Sequence, residues 1–246
     1  MLSTIRAEDM KFYLYRSKAK IEMLYEQVVD PKKKQKIKWK LEAKPISRES
    51  ETDDSEVTLE EKLQRVLREL DDEEQIGSLE DNKPYIRATL LMRWGMYNDY
   101  GYRDDASGPL VYFGSTDDQL LFGMGGSSNH IKGMYGLGST SSRSVTPVLV
   151  NFLLCGLRDG ERQPDYLDAD RSEMEHTYEA MALANHYLRG PVQNLEFVAK
   201  LICRDQNCKL RPWRSERGDG ILATPLYVSQ IDPMEEDDDP PPTTNS

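Results

Sequence analysis

Between Pro84 and Trp94 apolar and polar positions alternate, with Ile86, Ala88, Leu90, Met92 and Trp94 on one face and Tyr85, Arg87, Thr89, Leu91 and Arg93 on the other. This is the longest strand the pattern predicts. Shorter runs at Phe12–Tyr15, Lys36–Leu41, Leu110–Phe113, Leu120–Met124 and Ile221–Val228 predict further strands. Leu110–Phe113 and Leu120–Met124 are expected to pair as a hairpin around Ser115-Thr116-Asp117-Asp118. Pro225 predicts that the last strand lies at an edge or carries a bulge.

Helical spacing appears in Ile21, Leu24, Tyr25 and Val28, and again in Leu59, Leu63, Val66, Leu67 and Leu70. The second run follows a capping box made by Thr58 and Glu61. The acids Asp71 to Glu74 oppose the helix dipole at its far end and are expected to stop it there. Thr146-Pro147 predicts the start of a buried helix over Val148–Leu157. Met174, Tyr178, Met181, Asn185 and Leu188 form a further stripe, ended by Gly190-Pro191. Pro191 is expected to open one more helix, with Leu195, Val198, Ala199 and Ile202 inward. This order predicts an α+β fold: a mostly antiparallel sheet with helices packed on one face and a helical C-terminal half.

Composition adds solvated segments to this body. Only 38% of the 246 residues are hydrophobic, and mean hydropathy is -0.69. The expected layout is an N-terminal extension at 1–9, one domain at 10–231 with a flexible acidic insert at 45–57, and a disordered acidic and proline-rich tail at 232–246. A net charge of -11 makes nucleic acid and anionic membrane poor partners, because the long-range field repels both. The three lysines that alternate with Ile37, Trp39 and Leu41 read as protection of a strand edge. Three cysteines make no disulfide framework, and there is neither a secretory signal nor a membrane-spanning run. A cytoplasmic location is expected.

The glycine-dense stretch after Leu120 is the first candidate for chemistry. It is not a P-loop, because Lys132 precedes Gly133 and Met134 follows it, and Ser128 stands where a dinucleotide turn needs its third glycine. What the stretch offers is backbone. Gly125 and Gly126 permit close approach, while Ser127, Ser128 and Asn129 are caps whose neighbouring N–H groups suit an anion. His130 lies three residues after Ser127, which leaves open a hydrolase or nucleotide-processing enzyme using that pair. A nucleophile elbow is absent and no acidic partner can be assigned. Arg87 and Arg93 share a strand face and suit a carboxylate or phosphate. The spacings of Cys203 with Cys208 and of His176 with His186 fit no zinc site, so neither metal nor cofactor is expected.

Taken in order, Phe12–Val28, Met92-Arg93-Trp94-Gly95, Val111–Gly114, Phe122–Ser127 with His130, Gly190-Pro191 with Leu195–Lys200, and Thr224–Val228 resemble a bacterial family of unknown function over about Met10 to Ile231. The chain is also similar to domains that accompany caspase-like peptidases in bacterial conflict systems. These resemblances carry no catalytic residue. They imply a cytosolic regulatory or sensing domain in defence, with a caspase-like peptidase or another effector as partner. Together with the cap-rich turn, they lead to the expectation of a non-enzymatic sensor or adaptor that binds a small anionic ligand, such as a nucleotide, or a protein partner. A plain interaction subunit, docking through Asp99–Gly108 and Gly133–Ser144, is the remaining alternative.

Overall fold

The computed structural model describes residues 11–29, 57–97, 110–132, 173–211 and 215–231. The expected strand at Lys36–Leu41, the insert at 45–57 apart from Val57, the tyrosine-rich loop after Tyr97, the serine run before Thr146, the helix over Val148–Leu157 and both termini lie outside these residues.

The elements run β1 (Phe12–Arg16), α1 (Lys18–Val29), α2 (Leu59–Asp72), β2 (Ile76–Gly77), β3 (Tyr85–Tyr97), β4 (Leu110–Ser115), β5 (Leu120–Ser127), a 3-10 turn at Ser128–His130, α3 (Glu173–Tyr187), β6 (Gln193–Lys209) and β7 (Arg217–Gln230). The Thr58 capping box starts α2 with both of its reciprocal hydrogen bonds. The helix ends at Asp72, inside the acidic run.

β3 pairs with β4, β4 with β5, β5 with β7, β7 with β6, and β6 with β3, so five strands close into a barrel. Every pair in this ring is antiparallel except β5 with β7. β1 extends the sheet beside the far half of β7, and β2 pairs with the start of β3. Within the ring the order is first, second, third, fifth, fourth, with a helix between the third and fourth strands. That is the connectivity of the oligonucleotide- and oligosaccharide-binding type of five-stranded Greek-key barrel.

Inward positions fill the barrel with Met92, Phe113, Phe122, Met124, Phe197 and Val228, and the buried Tyr15 ring joins them from β1. Phe122 and Phe197 stack with their centroids 5.0 Å apart. Outside, α1 and α2 cover one wall, burying Ile21, Leu63, Val66 and Leu70 against Val198, Leu226 and Tyr227. α3 covers the wall made by β4, β5 and β7, burying Tyr178, Met181 and Leu188 against Tyr112, Leu121 and Leu222. Asn185 pins this helix. Its Oδ1 accepts from the Tyr112 hydroxyl at 2.7 Å, and its Nδ2 donates to the Phe122 carbonyl at 3.1 Å and the Ser115 carbonyl at 3.4 Å. The contact requires Gly114 beneath it, where a Cβ would come within 2.8 Å of the Asn185 Cγ.

The expected sheet with helices on one face and a helical C-terminal half is therefore wrong. The sheet closes on itself, helices pack on two outer walls, and the C-terminal part of the chain holds its two longest strands. The error lies in Leu195 to Ile202. Leu195, Val198, Ala199 and Ile202 match helical spacing, yet Leu195, Phe197, Ala199 and Leu201 alternate into the barrel while Val198 is buried outside under α2. With Val198 and Ile202 on the outer face as well as apolar residues on the inner one, the stretch shows too little polarity contrast for periodicity to separate a strand from a helix. β7 likewise is no edge, since it is paired on both sides. Pro225 does sit at a register shift against β6.

Gly126 faces inward, where the Tyr15 ring occupies the space of a side chain; an added Cβ would lie 2.8 Å from the Tyr15 Cζ. Gly126→Ala is expected to destabilise the fold by about 1–3 kcal/mol through overpacking. Urea denaturation checks this, and an unchanged midpoint would contradict the close fit.

Candidate functional site

The structure separates the residues expected to form one site into three places. Gly125, Gly126 and Ser127 are not a turn but the end of β5, paired to Tyr112, Val111 and Leu110. Only Ser128, Asn129 and His130 turn, and three residues are too few to sum a helix dipole. The Ser127 Oγ accepts from the Asn129 N–H at 3.4 Å, while the buried Ser128 Oγ has no partner among the described residues. His130 packs edge-on against Tyr15 at 5.7 Å. No hydrogen bond joins Ser127 to His130.

The backbone here is already engaged. The Gly125 carbonyl accepts from the Thr224 hydroxyl at 3.0 Å, and Thr224 in turn accepts from the Lys20 ammonium. Lys20 also donates to the Pro225 carbonyl at 3.1 Å, which lies at the β7 bulge. Burial, with Lys200 nearby, lowers the Lys20 pKa to about 8. Burial also lowers His130, and the Lys20 charge adds to the effect. This corner joins β1, β5 and β7 with polar groups that largely satisfy one another.

Arg87 lies on the outer face of β3, where it pairs with Asp71 of α2 at 2.8 Å. Beside it, burial pushes Glu196 up, but hydrogen bonds from Lys11 and Tyr227 outweigh burial and hold its carboxyl below the usual range. Arg87 is therefore part of a satisfied ion-pair network.

Arg93 is placed differently. It is half-buried on the outer face of β3, and it makes no ion pair or hydrogen bond among the described residues. It forms one wall of a cleft of about 290 Å³. Ala182, Asn185, His186 and Arg189 from the end of α3 form the roof, and the turn from Ser115 to Leu121 and the Leu210-Arg211 pair complete the walls. Arg189 donates to the His186 carbonyl at the edge of hydrogen-bonding range, 3.5 Å. Arg211 pairs with Asp118, and Asp117 accepts from the Gln119 N–H at 2.7 Å. Three arginines thus line the cleft together with Leu120, Leu121 and Leu210. Such a cleft can hold a carboxylate or phosphate through bidentate arginine hydrogen bonds.

Of the expected residues, then, only Arg93 belongs to this cleft. Ser127 lies at the opposite end of β5 from Leu120, about 23 Å away at 3.3 Å per residue. Arg189, Arg211, Ser115, Thr116 and His186 were not foreseen, since they come from three separate segments and follow no spacing. A faint signal was present in Arg189, a basic residue directly after a helix and before Gly190-Pro191.

The described cysteines do not suggest chemistry either. Cys203 and Cys208 are free thiols, and burial pushes the Cys208 thiol up to about 12. Among the described residues no His, Cys, Asp and Glu gather to hold a metal, and no helix is long and apolar enough to cross a membrane.

A family of unknown function, DUF7019, matches residues 11–232. The chain belongs to this family. Neither a curated protein nor a solved structure matches it. The match covers every described element from β1 to β7, so both the barrel and the arginine cleft lie within the family region.

Lys20 provides a test of the polar corner. Its folded pKa of about 8 lies below its ordinary 10.5, so between these values the unfolded chain binds more protons and stability rises with pH. The contribution is complete above 10.5 and is lost as pH falls through 8. Wild type is accordingly expected to gain stability relative to Lys20→Met as pH rises from 8 to 10.5. Parallel denaturation curves at several pH values measure this, and a constant difference would argue against a desolvated amine.

Proposed function

We propose that this protein is a non-enzymatic sensor or adaptor that binds an anion in the cleft formed by Arg93, Arg189 and Arg211. The observation that carries this reading is Arg93, a half-buried guanidinium with no partner among the described residues, on the wall of a cleft that holds two more. A guanidinium offers five donors, and those of Arg93 are spent on no protein group among the described residues, so they are open to an anion that enters the cleft. A bound anion would replace water there with charge-assisted hydrogen bonds. Leu210 and Arg211 lead into the connection between the fourth and fifth barrel strands, a loop that carries ligands in barrels of this connectivity. The usual strand face of such barrels is covered by α3, so the ligand is a small anion at the barrel's side, not a nucleic-acid strand across it.

A protein partner is a second reading of the same site. Leu91, Tyr187 and Val192 are 59%, 50% and 44% exposed, and all three lie on segments that border the cleft. An acidic or phosphorylated side chain of a partner would then fill it. The resemblance to domains that accompany caspase-like peptidases supports a place in bacterial defence, with such a peptidase or another effector as partner. The enzyme alternative through Ser127 and His130 has no hydrogen bond between the pair to support it.

Thermal-shift measurements with inorganic phosphate, nucleoside monophosphates and cyclic nucleotides test the ligand reading. At least one anion is expected to raise Tm, by about 2–4 °C per kcal/mol of binding energy for a chain of this size. Arg93→Gln is expected to weaken that anion by about 10- to 100-fold, the worth of hydrogen bonds to a charged group, while His130→Ala leaves its affinity unchanged. A shift abolished by His130→Ala but not by Arg93→Gln would place the site elsewhere.

A further inference from the structure

The cleft does not end at Arg211. A second cavity of about 580 Å³ shares Asp118, Leu210 and Arg211 with it. Two of these shared residues, Arg211 and Asp118, form an ion pair. Building on the anion-binding reading, we propose that this pair is a displaceable latch. The ligand's anionic group takes the place of Asp118 on Arg211, and the two cavities join into one groove for a phosphomonoester with a donor-bearing body, of the nucleoside monophosphate class.

Three observations carry this. The latch is weak, because both partners are well exposed, Arg211 at 38% and Asp118 at 75%, and exposed pairs contribute little. Asp118 is also spared from holding its own turn, which is closed by the Gln119 N–H on Asp117. It is thus a carboxylate that competes for the guanidinium an incoming anion needs. Finally, the two lobes differ in chemistry. The first holds Arg93, Arg189 and Arg211 against Asp117 and Asp118. The second is bordered by Asp118, Glu216 and Asp219 against Arg211 and Arg217, and Arg217 donates to the Asn207 carbonyl at 2.8 Å. A phosphate suits the first lobe, and amino or hydroxyl donors suit the second. The first lobe alone is at the lower limit of ligand-pocket size, so a nucleoside needs both.

Calorimetric titration of the full chain with inorganic phosphate and with adenosine monophosphate, at fixed ionic strength, tests the latch. Asp118→Asn is expected to bind both about 2- to 5-fold more tightly, since the competing carboxylate is gone. Asp219→Asn is expected to weaken adenosine monophosphate and leave phosphate unchanged. Circular dichroism establishes that these surface variants fold. If Arg93→Gln weakens binding but Asp118→Asn changes nothing, the latch is refuted and the anion site stands. If Asp219→Asn alters phosphate and nucleotide alike, the two-lobed groove is refuted. Should neither probe bind wild type or Asp118→Asn, the anion reading fails and the latch with it.

Discussion

Closure of the barrel through β7 is the constraint from which the rest of the structure follows. β7 holds β6 along one edge, and along the other it holds first β5 and then β1. With both edges occupied its backbone groups are paired almost throughout, which is how closed barrels avoid exposed edges. One of the three register shifts against β6 falls at Pro225, a residue with no N–H to give. There the free carbonyl is taken by the Lys20 ammonium, so α1 serves the barrel as a source of a hydrogen bond as well as of apolar cover.

A closed ring of five strands leaves little interior, and aromatic rings fill it. Phe113, Phe122, Phe197 and Tyr15 leave no room for a ligand inside. Any binding is thereby displaced to the outer surface. Helices occupy two walls of that surface, and what remains is the seam where the end of α3 meets the β4–β5 turn. Asn185 holds the seam in place by tying the helix to both strands of the hairpin. The cleft exists because this helix ends there, and Arg93 lies within it because β3 passes below.

Charge then distinguishes one arginine from another. In a chain of net charge -11 several arginines find carboxylates, as Arg16 does in Glu60, Arg87 in Asp71 and Arg211 in Asp118. Arg93 and Arg189 have none among the described residues, although Arg189 also gains from its place near a helix C-terminus. The cleft is marked by three arginines against two acids, Asp117 and Asp118, of which Asp118 is engaged by Arg211.

Periodicity and local chemistry alone determined much of the architecture. The alternation in β3, the hairpin of β4 and β5, the capped α2 and the Tyr178–Leu188 stripe all follow from contrast between neighbouring positions, and such contrast is written locally. β6 was misread because apolar residues on both of its faces erase that contrast, and only pairing with β3 and β7 decides that it is a strand. Gly125 and Gly126 lie in β5 and not in the expected turn, and at Gly126 it is the Tyr15 ring that comes close, which the sequence alone does not say. Arg87 and Arg93 are equivalent on the strand pattern. Tertiary structure alone set Asp71 against the first and placed the second in a cleft lined also by Arg189 and Arg211, because those neighbours come from segments far apart in the chain and no local interaction brings them together.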